Sequence, residues 1–299
     1  MFAQLLTAHF VHVALLAGVV VAVVAGLLGP LVLTRNQAFA VHGIAELGLT
    51  GAAGGLLVGL SATTGALLGS LTVGALLGAL GLRGHDRDTA TGAVLAAGLG
   101  LGVFFLSRLH SYASTGFGLL FGSITTVSAG QLHRLLLTTG VVLAVLAVLW
   151  RPLWFASVDP DSAEARGVPT RALAVAFPML LAVAVAETIQ LTGVLLILTL
   201  VVTPAATAAQ LTVRPGRLAA TSVGIAVTAT LGGIVASLQW DAPTSFFIAV
   251  IGFVAYALAR LSRLRRPRSL SRLGPTDNPA VRTGEPIPAL PPGDEHVDC

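Results

Sequence analysis

The chain's single cysteine, Cys299, stands at the last position, which excludes an internal disulfide and a thiolate metal cluster. Lysine is absent: all seventeen basic residues are arginine, a bias that points to codon usage rather than mechanism. Charged residues make up only 10% of the sequence. Alternating polar and apolar runs of strand length are missing, so an outer-membrane barrel is excluded. There is no Walker A pattern, hence no nucleotide site, and no H-E-x-x-H, paired Asp or matched Ser and His to suggest an intramembrane enzyme. The N-terminal MFAQLLTAHFVHVALLAG lacks a basic n-region and a small-residue cleavage site, and is expected to lead as mature sequence into a first span.

What is present is apolar. Hydrophobic residues are 55% of the 299, with 34 glycines and a mean hydropathy of +0.89. A run of about twenty apolar residues crosses a hydrocarbon core of about 30 Å as a helix. The fold class is therefore all-α: a polytopic membrane helix bundle. Breaks at Arg, Pro, Gly and polar clusters predict about nine spans, at 11–33, 38–60, 64–82, 89–107, 135–150, 171–189, 192–211, 218–238 and 244–261, with eight as the alternative count. With the N-terminus outside and the C-terminus cytoplasmic, most arginines fall inside; Arg108 and Arg134 are the exceptions. The basic pI near 10.5 thus follows from topology and calls for no nucleic acid.

Two connections exceed a tight turn. Residues 107–134 are amphipathic and Gly-rich, and suit a re-entrant or surface helix sheltered by protein. Residues 150–171 contain a helix start at Asp159-Pro160-Asp161 and a stop at Gly167, a small exposed helix with no purpose unless something docks on it. The expected organisation is a membrane domain over 1–262 and a tail over 263–299. The tail opens with Arg263, Arg265, Arg266 and Arg268, a patch suited to anionic lipid headgroups. Its remainder is Pro-rich and polar, a composition that predicts disorder.

Small residues recur at Gly51, Gly55 and Gly59, at Gly65 and Gly69, and at Gly74 and Gly78, which predicts close helix packing. Thr203 and Pro204 sit well inside the seventh span, where proline removes a backbone hydrogen bond and bends the chain. That kink is either a packing device or a gate.

Ionisable residues inside a membrane are costly, face the bundle interior and mark pathways. His42 and Glu46 are four apart in AVHGIAELGLTGAAGG, hence on one helix face. Imidazole nitrogen and carboxylate oxygen both ligate divalent first-row metals, while two ligands bind loosely enough to release. A mutual hydrogen bond, or a bond from each to a neighbouring helix, is the structural alternative. Glu187 and, in the loop, His110 are second-rank pathway candidates. Asp241 reads as a turn and capping residue, and His9 and His12 as solvated.

Four segments carry a resemblance. GLLGPLVLTRNQAFAVHGIAELGLTGAA, GVLLILTLVVTPAATAAQL, SLQWDAPTS and VDPDSAEARGVPTR, in that order and spacing, resemble the membrane permease subunits of bacterial zinc and manganese ABC importers, to about residue 262. One departure matters. Where the family pattern has Asp then His, this chain has His42 then Glu46, keeping a His and a carboxylate in exchanged order.

The resemblance implies a multi-pass bacterial cell-membrane protein that is a transport subunit rather than an enzyme. Its cargo would be a divalent metal, zinc, manganese or ferrous iron, with no tightly bound cofactor. Its partners would be a second permease copy, an ABC ATPase subunit and an extracytoplasmic metal-binding lipoprotein. It further implies that Asp159, Asp161, Glu164, Ala165 and Gly167 form the ATPase-coupling segment, that Thr203 and Pro204 gate, and that the Asp241 turn lies on the outer face. Two rival readings stand beside it: a proton-coupled secondary transporter carrying protons on Glu46 and Glu187, and an ABC permease for iron chelates or vitamin B12.

Overall fold

Among the described residues, each apolar run predicted to span is helical over most of its length in the computed structural model, which describes residues 9–79, 85–109, 118–122, 127–240 and 242–265. The helices are α1 (His9–Thr34), α2 (Ala38–Leu57), α3 (Ala62–Ala79), α4 (His85–Ser107), α5 (Ala129–Val158), α6 (Pro160–Ala165), α7 (Thr170–Thr192), α8 (Val194–Leu211), α9 (Pro215–Trp240) and α10 (Thr244–Arg265). No strand occurs among the described residues. The first compact unit runs to Leu261; of the second, only 262–265, the end of α10, is described.

Eight helices are long and apolar enough to cross a membrane; α8 contributes a shorter apolar stretch, Leu196–Leu211. Its 18 residues rise about 27 Å at about 1.5 Å each. It is short because Gly193, at φ +77°, breaks the chain between α7 and α8. A side chain on Gly193 would collide with the backbone of residues 120–122, so only glycine fits both the conformation and the contact. Helix α5 departs from expectation in the other direction. Its predicted end at Arg151-Pro152 is passed, and the helix continues to Val158. Ser128 and Gln131 form a reciprocal capping box at its start. Thirty residues make about 45 Å of helix, more than the about 30 Å of hydrocarbon, so α5 is longer than one crossing of the apolar layer needs.

Helix α2 is the centre of the bundle, in contact with α3, α4, α7 and α8. Of the spans, its most apolar window is the most covered, at 67%, whereas α5 and α10 stand at 17% and present their apolar faces outward. Gly51 and Gly55 of α2 lie backbone to backbone on Gly65 and Gly69 of α3. Gly74 and Gly78 pack on α7 instead, at Pro178 and Val175. Gly59 is no part of this seam: it ends the α2 turn at φ +81° with open space around it, and its role is conformational.

Alanine at Gly51 would drive its methyl into the Gly65 carbonyl. Gly51→Ala is expected to destabilise the bundle by about 1–3 kcal/mol, the scale of overpacking a tight interface. Gly100, where an added methyl would meet nothing within 4 Å, is the control. Thermal unfolding of the detergent-solubilised protein should show a lowered midpoint for Gly51→Ala and an unchanged or raised one for Gly100→Ala, alanine being the better helix former.

Candidate functional site

The most covered span carries the ion-pair candidates. His42 Nε2 and Glu46 Oε1 are 3.8 Å apart, with side chains 32% and 6% exposed. That is ion-pair range but too long for a hydrogen bond. The second nitrogen of His42, Nδ1, and the second oxygen of Glu46, Oε2, are buried and make no hydrogen bond among the described residues. Neither the mutual hydrogen bond nor a bond to a neighbouring helix is therefore made. A buried polar atom without a partner costs free energy and calls for a reason.

The backbone around the pair is held firmly. Ser70 of α3 donates from Oγ to the Ile44 carbonyl at 3.1 Å, and Thr50 donates from Oγ1 to Gly98 of α4 at 2.7 Å and to the Glu46 carbonyl at 3.1 Å. Small hydroxyl side chains are the residues that cross-link apolar helices. Sequence reasoning missed Ser70 and Thr50; the available signal was a lone Ser or Thr inside a Gly-rich span. It also missed Gln37, 1% exposed at the start of α2, whose Oε1 is buried without a hydrogen bond.

Glu187 is half-buried on α7 and is not brought to the pair. Two residues on, Ile189 meets Gly48 of α2, so Glu187 lies at the depth of Glu46. Two residues of helix turn about 200°, which aims it away from α2. The charge that acts on it belongs to Arg134, at the start of α5. Pro204 is buried inside an unbroken α8, and Thr203 is half-buried beside it. The Thr203 carbonyl accepts from Thr207 Oγ1 at 2.7 Å. Gly29 of α1 packs on Val201 and Ala205. Gly29 and Gly43 are equally far from the turn at Asn36, so Pro204 sits near the depth of His42.

Helix α6 forms where the sequence indicates. Asp159 caps it, accepting from the Ser162 backbone N–H at 3.0 Å, with Pro160 in the first turn. Those hydrogen bonds from Ser162, with the nearby Arg166 guanidinium, hold the Asp159 carboxyl below the usual carboxylate range. Ala163 is fully buried, whereas Asp161, Glu164 and Ala165 are exposed, and Gly167 ends the segment at φ +80°. His12 is exposed. His110 and Asp241 lie outside the described residues, as does the side chain of His9.

No group of three or more His, Cys, Asp or Glu able to hold a metal occurs among the described residues, so one copy of the chain offers two ligands at the pair. A groove of about 390 Å³ between α8 and α10, lined by Leu196, Phe246 and Ala249 among others, is apolar and contains none of the candidates.

Residues 7–262 match the ABC 3 transport family. The chain is 26% identical over 259 residues to the manganese transport system membrane protein MntC of Halalkalibacterium halodurans, an overlap of 86% of this chain and 89% of that protein. It is 23% identical over 255 residues to the high-affinity zinc uptake system membrane protein ZnuB of Haemophilus influenzae, covering 84% and 97%. Among solved structures it is similar to PsaBC from Streptococcus pneumoniae in complex with Fab. The TM-score there is 0.78 at 24% identity, over 86% of this chain and 94% of that one.

Proposed function

The chain belongs to the ABC 3 transport family, and from that premise we propose that it is the membrane permease of an ATP-driven importer of divalent metal ions, manganese or zinc with ferrous iron as a third cargo. The relatives' names supply the substrate class: one is a manganese and one a zinc transport protein. The observation that carries the reading is the His42–Glu46 pair, set in the most covered span, with His42 Nδ1 and Glu46 Oε2 making no hydrogen bond among the described residues.

Two such pairs, one from each copy of a homodimer, make a four-ligand site for an ion in transit. The ion is cargo, and nothing holds it as a resident cofactor. An extracytoplasmic binding lipoprotein delivers it on the side of Arg134 and Asp241. ATP hydrolysis takes place on a separate subunit that docks at Asp159, Asp161, Glu164, Ala165 and Gly167. Its closure is passed through α6, rearranging the spans about Thr203 and Pro204 so that access alternates between the two sides. Residues 1–262 are the transport domain, with the N-terminus outside, and 263–299 a cytoplasmic tail at the lipid surface.

The test is isotope uptake, manganese and zinc in parallel, in cells lacking their own high-affinity importers, with and without a candidate ABC ATPase partner. Uptake of either metal that requires the ATPase is expected. Uptake without any ATPase would replace this reading by the proton-coupled carrier, and a complete complex that moves no metal would replace it by a permease for a larger ligand.

A further inference from the structure

The break between α7 and α8 is covered by a piece of the α4–α5 connection. A short helical turn over 118–121 sets the backbone of 120–122 against Gly193, the residue whose φ of +77° makes the break. Leu119 is buried in the core and seats that turn. One side chain ties the pieces together. Ser245, in the first turn of α10, has its Oγ 2.5 Å from the Phe121 carbonyl oxygen and 3.3 Å from that of Thr192. Both carbonyls stand at the end of a helix, where the backbone ladder supplies no donor.

A serine hydroxyl carries one proton, so it serves one of the two carbonyls at a time. At these distances the proton lies toward Phe121. When 118–122 moves off, the O–H turns to Thr192 and no donor is stranded. That exchange makes separation less costly than breaking a hydrogen bond outright. Space for it lies alongside: Phe121 and Ser245 line, with Leu196, Pro243 and Phe246, the groove of about 390 Å³ between α8 and α10. Packed interiors move between discrete arrangements, and unfilled volume beside a joint is where a second one fits. The joint also borders the proposed delivery side, since Ser245 follows Asp241 by four residues and 118–122 belongs to the connection that leads to Arg134.

We propose that Ser245 is a single-proton latch: its hydroxyl donates to Phe121 while 118–122 covers the α7–α8 break, and to Thr192 when that segment lifts in each transport cycle. The inference rests on the reading of the chain as an ATP-driven permease, and not on which metal it carries. Ser245 is a positioning residue, since it touches no ion.

The experiment follows amide hydrogen exchange in the peptide spanning 118–122 of the full-length permease, assembled in nanodiscs with a candidate ABC ATPase partner, at rest and during ATP turnover. Manganese and zinc uptake by the same complexes in liposomes is measured beside it. Wild type should exchange several-fold faster at 118–122 during turnover than at rest. Ser245→Thr keeps one hydroxyl proton and should do the same. Ser245→Asn carries two N–H donors, holds both carbonyls together and has the groove to occupy. It should keep exchange at the resting value during turnover and lower the uptake rate roughly fivefold, the weight of one hydrogen bond. Wild-type exchange that ignores turnover would overturn the inference, as would Ser245→Asn behaving like wild type. Ser245→Thr behaving like Ser245→Asn would mean that bulk and not proton count matters, and would overturn it too. Should Ser245→Asn fail to assemble, wild type and Ser245→Thr decide. Turnover-dependent exchange in a complex that moves neither metal would leave the latch standing and overturn the metal reading instead.

Discussion

Replacing His42 and Glu46 together by alanine is expected to bring metal uptake to background, a loss of at least about 100-fold, since even outer-shell partners of metal ligands are worth about 10–100-fold. The same variant should unfold at the same temperature as wild type or higher. The reason lies in the unmade bonds: Glu46 Oε2 and His42 Nδ1 are buried and make no hydrogen bond among the described residues, and removing them from an apolar interior relieves a cost that offsets the lost 3.8 Å ion-pair contact. Opposite signs for transport and stability distinguish a pathway site from a packing element. A structural pair would lose both together; isotope uptake and a thermal melt on one preparation read the two signs. Unchanged uptake would remove the pair from the pathway.

Asp161→Arg combined with Glu164→Arg is expected to uncouple ATP hydrolysis from transport. Both side chains are exposed, while α6 is anchored by buried Ala163 and by the Asp159 cap, so the reversal changes the docking face and leaves the helix in place. Metal moved per ATP hydrolysed should fall to a small fraction of the wild-type value, and a normal ratio would remove α6 from the coupling path. The cap adds a pH dependence of defined sign. Because the folded state holds the Asp159 carboxyl below its usual range, the cap's contribution is complete above that range. It is lost only as pH falls through the lowered value. Coupling should therefore be flat from neutral pH down to the ordinary carboxylate range and weaken below it, whereas Asp159→Ala should be weakened at every pH.

The helical class was legible because apolar runs near twenty residues are hard to read any other way, and α1 to α4 and α7 to α10 fall close to the predicted spans. Helix α5 was not, because Arg151 and Pro152 read as a boundary; a proline tolerated inside a helix, and an arginine that is simply exposed there, carry no stop. Gly51 and Gly65 were legible as a seam, yet Gly59 shared their spacing and belongs to a turn, since spacing alone does not show where a helix ends. At the site, the i,i+4 pair was visible in one helical turn. Gln37, Ser70 and Thr50 were not, because their meaning depends on burial and on carbonyls from other helices, such as Ile44 and Gly98.

The seam between α2 and α3 has a mechanical consequence. Where Gly51 meets Gly65, backbone rests on backbone, and no side chain is present whose rotamer could change. Such a joint has no second packed state: it either stays closed or parts entirely. The two helices thus travel as one stiff lever, with the His42–Glu46 pair fixed to it. Any stroke that carries the pair from one access to the other must be taken up at the lever's remaining contacts, where α2 meets α4, α7 and α8 and where α3 meets α7.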